Sequence, residues 1–132
     1  MTLIVCIDDN NGMMFNKRRQ SRDSELIKRV ETITEGKCLW TSEYSKALFS
    51  REVETDECFL DKAGEGENCI NETAGDVSVL PERIIIYKWN RKYPSDLKFT
   101  FDMSKMKIVS SFEFVGSSHE KITEEIYEKI LK

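Results

Sequence analysis

Leu3-Ile4-Val5-Cys6-Ile7-Asp8-Asp9-Asn10-Asn11-Gly12 begins as an unbroken apolar run and ends on a turn signal. A strand with one face in water alternates apolar and polar residues, whereas a strand covered on both faces does not. The run from Leu3 to Ile7 therefore reads as a central strand, the kind from which parallel sheets are built. Arg83-Ile84-Ile85-Ile86-Tyr87 has the same character in the second half of the chain. Between the two, from about Asp23, Leu26, Ile27, Val30 and Ile33 recur at helical spacing and Gly36 is placed to end the helix.

The rest of the chain extends this alternation. Cys38-Leu39-Trp40 is a short apolar run, and Thr41-Ser42 is placed to cap a helix through Tyr44, Ala47, Leu48 and Phe49. Short strands are expected near Val53 and at Cys69-Ile70, and a longer one from about Lys107 to Val115. Ile122, Ile126, Tyr127 and Ile130 have the spacing of a final amphipathic helix, with Lys129 and Lys132 suited to its C-terminal dipole. There is no internal repeat or interdomain linker. At 132 residues the chain is expected to bury roughly two-thirds of its unfolded surface in one core, with residues 1–132 forming a single α/β domain.

Composition narrows the function classes. A net charge of −4 gives no general pull toward nucleic acid or acidic membranes. No apolar span approaches the roughly 20 residues of a membrane helix, and the first residues lack the basic start and cleavage site of a signal peptide. A cytoplasmic location is expected. Cys6, Cys38, Cys58 and Cys69 contain no C-x-x-C pair and read as free thiols. Residues 52–82 are strongly acidic, with Lys62 the only base, and could meet a basic partner protein. Asp56, Asp61 and Glu65 lack the spacing of a calcium loop, so no metal site is expected.

In open parallel sheets, ligands bind beyond the carboxyl ends of the strands. Three loops fall there: Asp8 to Arg22, Trp89 to Tyr93, and Gly116 to His119. They carry Lys17, Arg18, Arg19, Arg22, Arg91, Lys92 and His119, a basic rim on an acidic chain, which points to an anionic ligand. Gly116, Ser117 and Ser118 read as the start of the last helix, a place where backbone N–H groups can hold a phosphate. A capping box of Ser117 and Glu120 explains the same residues without a ligand. Trp89 and Tyr93, interleaved with Arg91 and Lys92, suit stacking on a base. His119, the one histidine, excludes every multi-histidine metal mechanism and is the candidate for proton transfer. Ser117 and Ser118 share its turn, where adjacent positions rarely point a serine at the neighbouring ring.

Two resemblances rest on these residues. The segments 3–12, 34–41 and 114–118, with a helix between the first two, resemble the order of elements in dihydrofolate reductases over about half the chain. That resemblance implies a helical carboxylate, Asp23 or Glu25, holding a pteridine. It also implies that Gly116-Ser117 matches the paired glycines of a cofactor-phosphate turn. The segments Asn11 to Asp23, Phe59 to Gly64, Trp89 to Pro94 and Gly116 to Thr123 resemble a family of small bacterial proteins often labelled ribonuclease Z. The label implies RNA cleavage, yet the zinc enzymes of that name hold two metal ions through many histidines, and here only metal-independent cleavage through His119 is open.

The expected fold is thus α/β, a mainly parallel sheet flanked by helices in a dihydrofolate-reductase-like or Rossmann-like three-layer arrangement. The expected function is binding of an anionic small ligand, phosphorylated or nucleotide-like, by Arg18, Arg19, Arg22, Trp89, Arg91, Gly116, Ser117 and Ser118. RNA cleavage through His119 and protein interaction through residues 52–82 are the alternatives. The sequence names no cofactor.

Overall fold

The computed structural model describes residues 1–130. Strand β1 (Thr2–Ile7) occupies the centre of a seven-stranded sheet. On one side it pairs in parallel with β6 (Asn68–Asn71), and beyond that lie β4 (Leu39–Thr41) and β5 (Glu54–Thr55), also parallel. On the other side β7 (Arg83–Lys88) pairs in parallel, followed by two antiparallel strands, β10 (Ile122–Lys129) and β9 (Met106–Phe114). The sheet is mixed. A small antiparallel sheet joins β2 (Gly12–Phe15), β3 (Arg18–Arg19) and β8 (Leu97–Lys98).

The unbroken apolar run of β1 has the burial expected of it. Leu3, Val5 and Ile7 pack with Met13, Met14, Phe59 and Phe99 on one face. Ile4 packs on the other with Leu26 and Val30 of α1 (Ser24–Ile33). Each of these aliphatic side chains contributes roughly 1.5–3 kcal/mol on full burial. Helices do not flank the sheet on both faces. One face carries α1; the other is covered mainly by the small sheet, the loop around Phe99 and the one-turn helix α3 (Phe59–Lys62). A second one-turn helix, α2 (Glu43–Lys46), is capped by Ser42 as its sequence indicates. The crossover from β6 to β7, residues 72–82, contains no helix.

Residues 122–129 are a strand rather than the expected helix, which is a correction with a definite cause. Along β10, Ile122 and Ile126 face the α1 side while Tyr127 packs on the opposite face, so both faces bear apolar residues. Between the two isoleucines, Glu124 points inward and is 1% exposed. Its carboxylate accepts from Arg29 Nε at 2.8 Å, Arg29 Nη2 at 3.0 Å and the Tyr87 hydroxyl at 2.8 Å. An acid at an inward position interrupts the two-residue period and leaves apolar residues at a spacing that mimics a helix. The partner strand β9 carries a bulge, where Ile126 faces Ser110 while Tyr127 faces Ile108. Lys132 lies outside the described residues.

The β2–β3 hairpin turns through Asn16 and Lys17 at φ 52° and 61°, the pair of left-handed residues that a two-residue type I′ connection requires. This hairpin sets Arg19 against Glu72, just after β6, and Arg18 beside Tyr93 and Pro94, in the loop after β7.

Glu124 supplies the first prediction. Arg29→Ala leaves a buried carboxylate with only the Tyr87 hydroxyl, at a cost of about 2–3 kcal/mol, less than for a fully enclosed pair because Arg29 is partly exposed. Urea unfolding of the variant measures it; a loss below about 0.5 kcal/mol would show that the pair stabilises nothing.

Candidate functional site

The site is assembled on Asp23. Its backbone is extended and its carboxylate caps α1, accepting from Glu25 N at 3.0 Å and Leu26 N at 3.3 Å. The same carboxylate accepts from Ser117 N and Ser118 N, both at 2.9 Å, in the turn between β9 and β10. Ser24 N donates in return to Ser117 Oγ at 2.9 Å, and Ser118 Oγ donates to the Arg22 carbonyl at 2.9 Å. Ile27 N bonds to the Asp23 carbonyl. The N–H groups of Ser24, Glu25 and Leu26, which a helix start leaves without internal partners, are therefore satisfied, and Ile27 makes the first bond of the helix itself.

This corrects the reading of Gly116 to Ser118 as the start of a helix that seats an anion. The serines do cap a helix, but it is α1, and the anion in their backbone N–H groups is Asp23. Gly116 is needed for space: a Cβ there would collide with Asp23 Oδ2 and press on Ile122. Gly116-Ser117 precede a strand and face a side chain of the same molecule, so they do not match a cofactor-phosphate turn before a helix. Glu25 is exposed beside Lys28 on the first turn of α1.

His119 lies directly behind this junction and is 4% exposed. Nδ1 is 2.9 Å from Asp23 Oδ2, while Nε2 is 3.1 Å from Ser21 Oγ and 3.0 Å from the Tyr93 hydroxyl. A carboxylate only accepts, so Nδ1 carries a proton to Asp23, and in the neutral ring Nε2 then offers its lone pair to the two hydroxyls. The ring stacks on Trp89 with centroids 4.5 Å apart. Trp89 therefore packs against His119, and its indole is 5% exposed. Three of the four segments that carry the second resemblance meet here. Ser21 and Asp23 come from the first, Trp89 and Tyr93 from another, and His119 from the last.

Burial works to raise the Asp23 pKa, but the N–H groups of Ser118 and Ser117, the His119 ring and the N–H of Leu26 override it. Together they hold the carboxyl far below its ordinary value. Asp8, buried at the end of β1, is a second such carboxylate. Burial raises its pKa, and N–H groups of Tyr93, Gly12 and Asn10 with the Gln20 amide pull it below normal. The two acids tie the loops after β1 and β7 to each other and to the β9–β10 turn.

The basic residues separate into distinct environments. Arg18 lines a cleft of about 510 Å³ with Phe15, Arg19, Gln20, Tyr93 and Pro94, and makes no ion pair among the described residues. Arg19 is committed: its guanidinium bonds to both oxygens of Glu72 at 2.8 and 3.0 Å and lies 4.3 Å from the Tyr44 ring centre. Arg91 lines a different hollow of about 320 Å³ with Trp89, Asn90 and Lys121. Arg22 is exposed beside the Asp23 junction. Arg18 and Arg91 therefore do not line one cleft, and Ser118 and His119 face Asp23.

The sequence did not single out Gln20, whose amide ties the loop after β1 to the loop after β7. Its Nε2 donates to Asp8 Oδ2 at 3.2 Å and to the Pro94 carbonyl at 3.3 Å, leaving Oε1 buried without a donor. Ser21 was likewise passed over, because its partner is 98 residues away. Among the described residues no group of three or more histidines, cysteines and acids could hold a metal ion, and no helix is long and apolar enough to cross a membrane. The acidic stretch is partly structural: Glu72 pairs with Arg19, and Phe59, Cys69, Ile70 and Val77 are core residues.

No family model and no curated protein matches the chain. Among solved structures it is similar to a dihydrofolate reductase from Enterococcus faecalis complexed with NADP(H) and RAB-propyl. The TM-score is 0.67 and the identity 15%, covering 97% of this chain and 95% of that one. The fold is dihydrofolate-reductase-like along nearly the whole chain, rather than over about half of it.

The Asp23 junction predicts an acid-sensitive stability. A carboxyl whose folded pKa lies below its unfolded value of about 3.9 stabilises fully above that value and loses the stabilisation as pH falls toward the folded pKa. The melting temperature should hold between pH 7 and 5 and drop below pH 4. Asp23→Asn should cost about 2–4 kcal/mol at pH 7 and flatten the acid limb. Equal acid limbs in the two proteins would move the sensitivity elsewhere.

Proposed function

We propose that this protein binds a small anionic ligand, phosphorylated and nucleotide-like, in the cleft between the β2–β3 hairpin and the Tyr93-Pro94 loop. The observation that carries the reading is a cleft lined by the Arg18 guanidinium, which makes no ion pair among the described residues, together with the aromatic rings of Phe15 and Tyr93. The phosphate of such a ligand would meet Arg18. Phe15, 43% exposed at the rim, and Tyr93 add aromatic surface for a base. The cleft lies beyond the carboxyl ends of β1 and β7, where open α/β sheets bind ligands. Arg22 extends the positive potential, whereas Arg19 supports the cleft through its Glu72 pair. Gly116, Ser117 and Ser118 hold the scaffold and leave ligand contact to the hairpin.

NADP(H), which the Enterococcus reductase holds, is a first probe, with ATP and inorganic phosphate beside it. A ligand at ten times its Kd stabilises by about 1.4 kcal/mol, a rise of about 5 °C for a chain of this size. Thermal melts should show such a rise with a nucleotide, little with phosphate alone, and none in Arg18→Ala. The reading fails if no nucleotide or phosphorylated metabolite shifts the melt, or if Arg18→Ala shifts as the native protein does.

A further inference from the structure

Ser21, His119 and Asp23 stand in the order hydroxyl, imidazole and carboxylate. Ser21 Oγ is 3.1 Å from Nε2 and Asp23 Oδ2 is 2.9 Å from Nδ1, both within the reach of a nucleophile–base–orienter array. The Asp23 carboxylate fixes the tautomer, so the nitrogen facing Ser21 is the one able to take a proton. The imidazole is enclosed while Ser21 is half-buried, so the base reaches solvent only through a hydroxyl.

We propose that Ser21 is a nucleophile, with His119 as its base and Asp23 as the positioning carboxylate, that accepts the acyl group of a carboxylic ester bearing a negative charge. As Oγ bonds to the carbonyl carbon, the Ser21 proton passes to Nε2. When the ester C–O bond breaks, that proton goes to the departing alkoxide. Water, deprotonated by Nε2, then hydrolyses the acyl-serine, and the proton returns to Ser21.

Tyr93 fits the same sequence of events. Its hydroxyl is 3.0 Å from Nε2, which has a single lone pair to share between two hydroxyls. Once Nε2 takes the serine proton it no longer accepts from Tyr93. The phenol is thereby released as a donor when charge develops on the carbonyl oxygen, within about 6 Å of Ser21 Oγ. The N–H groups of Ser21 and Arg22 form no hydrogen bond among the described residues and are further donors beside the nucleophile. The nucleophile stands independently of the proposed ligand cleft; only the negative charge of the ester rests on that reading, through Arg18 and Arg22.

An uncharged fluorophosphonate probe tests the nucleophile alone, because labelling forms an Oγ–P bond and expels fluoride. Intact mass and peptide mapping of the full chain should show one adduct, on Ser21. Ser21→Ala, which removes one partly exposed hydroxyl, should fold with a near-native melting temperature and take no label. His119→Gln should label at least 100-fold more slowly. No adduct on the native protein, an adduct that persists in Ser21→Ala, or an unchanged rate in a folded His119→Gln would overturn the proposal. Faster turnover of p-nitrophenyl hemisuccinate than of p-nitrophenyl acetate would support the charged ester. The reverse order would remove the charge from the proposal while leaving the labelling result to decide the nucleophile.

Discussion

The ionised carboxylate of Asp23 is the constraint on which the rest of this structure depends. It takes N–H groups from two different places, the first turn of α1 and the turn between β9 and β10, and adds the imidazole of His119. Each donor alone is a modest interaction, but a buried charge without enough donors is costly, so the set is all-or-none. The loop that follows β1, the helix it leads into and the last hairpin are locked at one point. Gly116 is the concession in backbone that lets this carboxylate sit so close.

Much of the fold was legible because it follows from periodicity and caps. The apolar runs of β1 and β7 lie where their lack of alternation puts them, and α1 begins at the aspartate that its first turn needs. Ser42 caps α2 for the same local reason. Features requiring a distant partner were not legible. Glu124 at an inward position looks like a surface acid until Arg29, 95 residues earlier, is placed beside it. The β9 bulge leaves no residue signature in Lys107 to Phe114. The inward acid alone makes the strand from Ile122 look like a helix.

The candidate site shows the same division. Gly116, Ser117 and Ser118 have the chemistry of a helix cap, and they perform it, but for a helix that begins almost a hundred residues earlier. Sequence proximity tied them to the element that follows, whereas the sheet topology brings the β9–β10 turn onto the start of α1. The basic rim was readable as composition but not as a unit. Arg19 is neutralised by Glu72, Arg91 lies in a separate hollow, and Arg18 is left to the cleft. The one-histidine count was informative in a way that outlasted these shifts: a single imidazole that is buried and bonded at both nitrogens has been given a defined tautomer.

That tautomer separates scaffold from chemistry. A histidine kept only for packing against Trp89 would need a partner at each nitrogen, and one hydroxyl at Nε2 would suffice. Here Ser21 and Tyr93 both approach a lone pair that accepts well from one of them at a time. Two hydroxyls sharing one acceptor make an arrangement with two nearly equal hydrogen-bonding states, and proton transfer to Nε2 abolishes both at once. Such degeneracy adds little to stability, since the second hydroxyl contributes less than a full hydrogen bond. It does set the Ser21 hydroxyl and the phenol of Tyr93, a residue that also lines the cleft of Arg18 and Gln20, on one imidazole nitrogen. The excess of donors at Nε2, rather than the Asp23–His119 bond itself, is the feature of this junction that a purely structural role leaves unexplained.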